Sequence, residues 1–258
     1  MRFCNPWTRV VAVAALGLVT GAEATARVEL PIAGTIFLHG GGPLGNDHLD
    51  EFVKLCGEHG KLVVIPSAIE KADDPDYAEK IRRNWERRGL PGAVMLHTND
   101  RAEANSADFV EPLTRADCVW FGGGSQGRIV DRYVGTRVED ELHALVLRGG
   151  VIAGYSAGMA VMTRVMIRQG NPEPEEAVGL GVLPGAIVDQ HFVRNEREAR
   201  MLAMLARHPE LVGYGVDERT TLIVSGKRWR VLGHSVVRRC TLRRGCRDLL
   251  PGATGKFP

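Results

Sequence analysis

Ser156 is the residue whose setting most clearly suggests chemistry. It lies in residues 154–162, GYSAGMAVM, after the short apolar run Val151, Ile152 and Ala153, which itself follows Gly149 and Gly150. The pattern describes a buried strand, a sharp turn flanked by small residues, and an apolar run at helical spacing. Such a turn pushes the serine hydroxyl out beyond the strand end. Gly154 and Gly158 let neighbouring backbone pack close, the geometry of a nucleophile elbow. Ser156 is then a candidate nucleophile for acyl transfer, and the Ala157 N–H, at the start of the helix, a candidate donor to an oxyanion. The same short pattern also describes an ordinary strand-to-helix turn whose serine caps the helix. The rest of the chain has to decide between them.

The elements that would hold such a turn recur along the chain. Residues 35–39 (TIFLH) predict a strand running into Gly40, Gly41 and Gly42, where bare backbone can approach a ligand or a neighbouring loop. Neither a dinucleotide fingerprint nor a phosphate-loop lysine follows those glycines. A helix is expected over 47–57, a strand over 61–65 stopped by Pro66, and a charged amphipathic helix over 73–88. A strand over 93–96 and a helix within 99–115 come next, then a strand over 118–121 (CVWF) that runs into Gly122, Gly123, Gly124, Ser125 and Gln126. Helices from about Arg128 and over 139–147 lead back to the elbow strand. Strand and helix alternate at intervals of about 30 residues, which predicts an α/β three-layer sandwich around a mostly parallel sheet, with sites at the carboxyl ends of strands. Both glycine-rich loops, after Phe121 and after Ala153, can then face one crevice. Beyond the elbow, residues 168–176 read as an acidic, proline-containing loop, 179–190 as a strand or hairpin around Pro184 and Gly185, and 194–207 as a helix. Short strands close the domain at 220–224, 228–232 and 235–237, and residues 238–258 read as a loose basic tail.

Composition narrows the class. Lys and Arg total 33 against 31 Asp and Glu, a formal charge of +2, and acids alternate with the arginines of 73–88, so nothing points to nucleic acid. Residues 1–9 carry Arg2 and Arg9 without an acid, 10–19 are apolar, and Ala24, Thr25 and Ala26 fit a cleavage site, so residues 1–26 read as a secretory signal peptide. The apolar run is too short to span a bilayer, which takes about 20 residues. A secreted or periplasmic protein of about 230 residues with no stable membrane span after processing is the expectation, enough for one domain with a sizeable core. Cys56 and Cys118 fall in a predicted helix and strand as ordinary apolar thiols, and no cysteine spacing suggests a zinc site. Cys240 and Cys246, six apart, can form a local disulfide, and the sequence leaves open whether they do.

GGGSQ at 122–126, GYSAGMAVM at 154–162 and DQHF at 189–192, in this order, together resemble the serine peptidase family that contains cyanophycinase and aspartyl dipeptidase. The resemblance covers roughly residues 32–237. It implies a flavodoxin-like fold of the class I glutamine amidotransferase type, a serine-type peptidase, and no cofactor or metal. Ser156 matches the nucleophile and His191 the general base, which agrees with the chemistry: a serine hydroxyl needs a base within hydrogen-bond reach, and histidine can take and return that proton. The family places a glutamate after the elbow helix, where this chain offers Glu173, Glu175 and Glu176, and Glu173 is the best match. Gly124 would supply a second oxyanion N–H beside Ala157. Gln126, Asp189 and Gln190 match substrate-pocket residues, and Arg197 and Arg200 match two of three arginines that would pair with a substrate carboxylate. The chain departs from the pattern at Asn195, where the first of those arginines is usual, at Ser125 for an aspartate, and at Tyr155 for a threonine.

The expected function is an exported serine exopeptidase that cleaves aspartyl-linked peptide or β-aspartyl-arginine isopeptide bonds through an acyl-enzyme, with a peptide or cyanophycin-like substrate. A dipeptidase for short peptides with amino-terminal aspartate and a non-catalytic binding protein on the same fold are the alternatives. Oligomeric state stays open, a homodimer included.

Overall fold

The computed structural model describes residues 32–258; the expected signal peptide lies outside the described residues. Its strands and helices follow in chain order as β1 (Thr35–His39), α1 (Asn46–Cys56), β2 (Leu62–Ile65), α2 (Pro75–Glu86), β3 (Val94–Met95), α3 (Ala107–Thr114), β4 (Cys118–Phe121), α4 (Gln126–Tyr133), α5 (Arg137–Leu147), β5 (Val151–Tyr155) and α6 (Ala157–Ala160). The second half contributes β6 (Val165–Gln169), β7 (Glu175–Val178), β8 (Ala186–Asp189), α7 (Glu198–Arg207), β9 (Val212–Val216), β10 (Thr220–Ser225), β11 (Arg228–Gly233), β12 (Val237–Thr241), β13 (Gly245–Leu249) and β14 (Thr254–Lys256).

The main sheet has the order β14-β11-β10-β1-β5-β4-β2-β3. Its five strands β1, β5, β4, β2 and β3 run parallel, and β10, β11 and β14 extend it antiparallel from β1. β2 and β4 are apolar throughout because both faces of the sheet are covered there. Alternate residues of β4 show this directly: Val119 and Phe121 pack with Ile129, Leu142 and Met159 of α4, α5 and α6, whereas Cys118 and Trp120 pack with Phe52 of α1 and Trp85 of α2. The three layers expected from the alternation of strand and helix are therefore present, with α1 and α2 on one face and α3 to α6 on the other.

A second sheet, β13-β12-β9-β8, has β8 and β9 parallel with Asp189 opposite Gly215. That register matters for function, since the segments leaving β8 and β9 emerge side by side.

Several expectations are corrected. Residues 168–176 are not all loop: β6 and β7 form an antiparallel hairpin around them. Of the strand or hairpin expected over 179–190, only β8 forms, pairing with β9 instead of with itself. The elbow helix is a single turn, because Gly179 and Leu180 return to bond the carbonyls of Arg164 and Val161 and the chain enters β6 at once. The loose tail expected at 238–258 is ordered in β12, β13 and β14. Arg238 pairs with Asp248 (2.6 Å) and Glu198 (2.8 Å), Phe257 is buried against Tyr214, and Trp229 Nε1 donates to Lys256 O. Cys56 and Cys118 are bonded to each other, tying the end of α1 to the start of β4, and Cys240 and Cys246 are bonded across β12 and β13. No helix among the described residues is long and apolar enough to cross a membrane.

Candidate active site

Five strand ends supply the site. The carboxyl end of β5 presents Ser156, with Gly154 beneath it: a Cβ at Gly154 would lie 2.4 Å from the Gly158 and Met159 backbone, so only glycine lets the turn close. Ser156 has φ 51° and ψ −112°, a conformation that costs about 1–3 kcal/mol and is held because its N–H donates to His39 O at 2.9 Å. Its hydroxyl is thereby turned toward His191, and Ser156 Oγ lies 2.8 Å from His191 Nε2.

His191 follows the end of β8 by two residues and also has positive φ (45°). Its N–H donates to Gly40 O at 2.7 Å. On the other side of the ring, Nδ1 lies 2.8 Å from Glu218 Oε1. Glu218 follows the end of β9 by two residues, so the parallel pairing of β8 and β9 is what brings base and acid together. The carboxylate fixes the proton on Nδ1, which leaves the Nε2 lone pair facing the serine hydroxyl.

The partner of His191 is therefore Glu218, and not Glu173. Glu173 sits exposed in the connection between β6 and β7, where its carbonyl packs on Gly170; Glu175 lies next to Gln169, and Glu176 pairs with His208. The signal for Glu218 is an acidic pair, Asp217 and Glu218, directly after the apolar run 212–216. The two acids divide the work. Asp217 Oδ1 accepts from the Val193 and Arg194 N–H groups and Oδ2 from Ser235 Oγ, which clamps the loop after His191 and frees Glu218 to face the ring.

The first triple glycine serves this pair rather than a phosphate. A Cβ at Gly41 would lie 2.2 Å from His191 Cε1, and one at Gly42 would lie 2.8 Å from Glu218 Cβ. Tyr155 braces the same loop, its hydroxyl donating to Gly42 O at 2.6 Å while its ring stacks on His39. Burial pushes the His39 pKa down to about 3, so this ring under the elbow stays neutral at working pH.

In the second triple glycine, Gly122 and Ser125 donate to Ile65 O and Ala68 O, while Gly123 packs on Tyr155 and the Ser156 Cβ. Gly124 has φ 140°. Among the described residues neither the Gly123 nor the Gly124 amide has a backbone acceptor, and Ala157 opens α6, whose first N–H groups have no partner within the helix. The Ala157 N–H, next in the chain to Ser156, is thus left without a partner inside the helix.

Comparison with known proteins gives the family. The model of Peptidase family S51 matches residues 36–232. The chain belongs to peptidase family S51. It is a serine-type peptidase of that family. A cyanophycinase of Geminocystis herdmanii is 29% identical over 203 residues, 75% of this chain and 74% of that one. A cyanophycinase of Synechococcus elongatus is 33% identical over 204 residues, 75% of this chain and 62% of that one. The chain thus spans about three fifths of some of its curated relatives. In fold it resembles the crystal structure of a peptidase from an acI-B1 Actinobacterium, with a TM-score of 0.70 at 22% identity over 88% of this chain and 98% of that one.

The remaining pocket residues of this S51 peptidase are placed differently from expectation. Gln126 turns its amide to the β6 backbone, Nε2 donating to Arg168 O at 2.7 Å and Ile167 O at 3.3 Å, which occupies both of its hydrogens. Asp189 is buried and held by Arg200, whose Nε donates to Oδ2 at 2.7 Å, whose Nη2 reaches Oδ1, and whose Nη1 donates to Gly170 O. Arg200 is thus an internal partner and not a free guanidinium for substrate. Arg197 Nη1 donates to Gln190 O at 2.7 Å and lies 3.3 Å from Asp189 Oδ1; its Nε and the Oε1 of Gln190 are buried without partners among the described residues. Removing one member of a buried pair strands the other charge. Arg200→Met is expected to destabilise the protein by about 3 kcal/mol or more, read as a lower midpoint of urea unfolding at unchanged slope. A loss below about 1 kcal/mol would show that Asp189 does not depend on it.

A cavity of about 790 Å³ opens beside the crevice. Trp85 and Trp120 line it with Pro66 and Gly122 at strand ends, and Asp50 and Arg88 are among its polar lining.

Proposed function

We propose that this S51 peptidase is an exported exopeptidase that cleaves aspartyl-linked bonds through an acyl-enzyme, with cyanophycin, a polymer of β-linked aspartyl-arginine units, as the first substrate to test. The observation that carries the reading is the unbroken chain Ser156 Oγ, His191 Nε2, His191 Nδ1, Glu218 Oε1, with both links at 2.8 Å. The Ser156 hydroxyl attacks the carbonyl carbon as His191 takes its proton, and Glu218 stabilises the resulting imidazolium. The Ala157 and Gly124 N–H groups hold the oxyanion, and His191 returns the proton to the departing amine. Water, activated by the same histidine, then releases the acyl group. The names of the curated relatives favour cyanophycin.

Short peptides with amino-terminal aspartate are the second reading, favoured by one observation. Arg200 is spent on Asp189, and position 195 is asparagine, so two of the guanidinium groups expected to meet a substrate carboxylate are not on offer. A non-catalytic binding role is disfavoured because all three members of the triad are in contact.

The test is release of new amino groups from cyanophycin and from a panel of aspartyl dipeptides by residues 27–258. Cleavage of the polymer to dipeptides supports the leading substrate. Cleavage of dipeptides alone moves the substrate, and cleavage of neither, with no labelling by a serine-reactive probe, overturns the enzyme reading. Export is part of the proposal, and a mature amino terminus at residue 27 in the secreted fraction would support it.

A further inference from the structure

We propose that Asp47, His48 and His234 form a binding site for a divalent transition metal, of the class that includes Zn²⁺, on the outer side of the turn that carries Glu218. Two imidazoles converge on one carboxylate oxygen: His234 Nε2 lies 3.3 Å and His48 Nε2 3.7 Å from Asp47 Oδ2. One ligand atom from each residue fits within 4.8 Å of the others. Donors about 2.0–2.2 Å from one tetrahedral ion stand roughly 3.3–3.6 Å apart, close to both spacings on the Asp47 carboxylate. The Arg219 carbonyl oxygen, 3.2 Å from His48 Nε2, is within reach as a fourth donor.

The surroundings favour a built site over a chance meeting of charges. His48 is fully buried, and its second nitrogen lies 2.8 Å from Thr221 Oγ1, itself buried, which fixes the ring and can accept Nδ1–H while Nε2 ligates. Glycine makes the space on both sides. A Cβ at Gly233 would lie 2.3 Å from Arg219 O and 2.8 Å from His48 Cε1, and one at Gly45 would lie 2.3 Å from Asp47 Oδ1. Asp47 and His234 are partly exposed, which leaves an entry path for a hydrated ion. Two imidazoles with a carboxylate suit Zn²⁺ and its neighbours better than Ca²⁺ or Mg²⁺, which prefer all-oxygen shells.

The position gives the ion a consequence. Asp47 and His48 are in the first turn of α1, His234 follows β11, and Arg219, at φ 55°, donates its N–H to Gly41 O and accepts the His234 N–H. An ion here joins three segments distant in sequence and braces the Glu218 turn from behind. Residues 47 and 48 are far from 234 along the chain, so no local spacing announces the site.

The experiment uses the full chain stripped with a chelator, Zn²⁺ as the probe for calorimetric titration and thermal melts, and Co²⁺ for its visible absorption. One equivalent should bind with a Kd on the order of micromolar, and Tm should rise by about 5 °C at roughly 100-fold excess over Kd. His234→Ala and Asp47→Asn each alter an exposed side chain and should weaken binding at least about tenfold; both should lose the Tm shift. His208→Ala, at a histidine paired with Glu176 elsewhere, should leave both unchanged. Absence of a Zn²⁺ shift in the parent protein, or a shift that survives His234→Ala and Asp47→Asn, overturns the proposal. Neither readout depends on catalysis, so failure here is distinct from failure of the proposed function.

Discussion

Ser156→Ala is expected to lower kcat by about 10⁵-fold or more on whichever aspartyl substrate the parent protein cleaves, with Tm no lower than the parent's. The size follows from the contact at the base: among the described residues, Ser156 Oγ is the one hydrogen-bond partner of His191 Nε2. Residual turnover would come only from the oxyanion donors and substrate binding. Stability should hold because alanine bears the same backbone cost at φ 51° and, among the described residues, the lost hydroxyl has one partner. A kcat reduced less than about tenfold, with the fold intact, would remove Ser156 from the mechanism.

Glu218→Gln is expected to lower kcat by about 10³- to 10⁴-fold with KM little changed. Glutamine keeps the shape of the side chain, but its amide can donate to Nδ1, which moves the ring proton to Nε2 and removes the lone pair that accepts from Ser156. It also takes away the charge that stabilises the imidazolium. Glu173→Gln, in the exposed β6–β7 connection, should leave kcat at the parent value. Steady-state kinetics on both variants separate the two acids: the reverse outcome, with Glu173→Gln inactive and Glu218→Gln active, would show that the His191 contact to Glu218 is not the catalytic one.

The elbow was legible because it is local. Two glycines around a serine at a strand end define the turn whatever else the chain does, and the observed β5 to α6 turn follows. The first triple glycine was legible only as a demand for close approach; what approaches, His191 and Glu218, arrives from β8 and β9. Arg197 and Arg200 were legible as arginines that follow DQHF, but that both reach the buried Asp189 depends on how the chain after β8 folds back over it. Cys56 and Cys118 looked like ordinary core thiols because α1 and β4 meet only in three dimensions.

By itself, then, the sequence determined the alternation of strand and helix, the elbow turn that carries Ser156 and, through its resemblance, the stretch that carries His191, because each is written in a few residues. Tertiary structure alone decided which of many acids meets His191. That choice depends on the parallel register of β8 and β9, set by packing between elements and not by any local pattern.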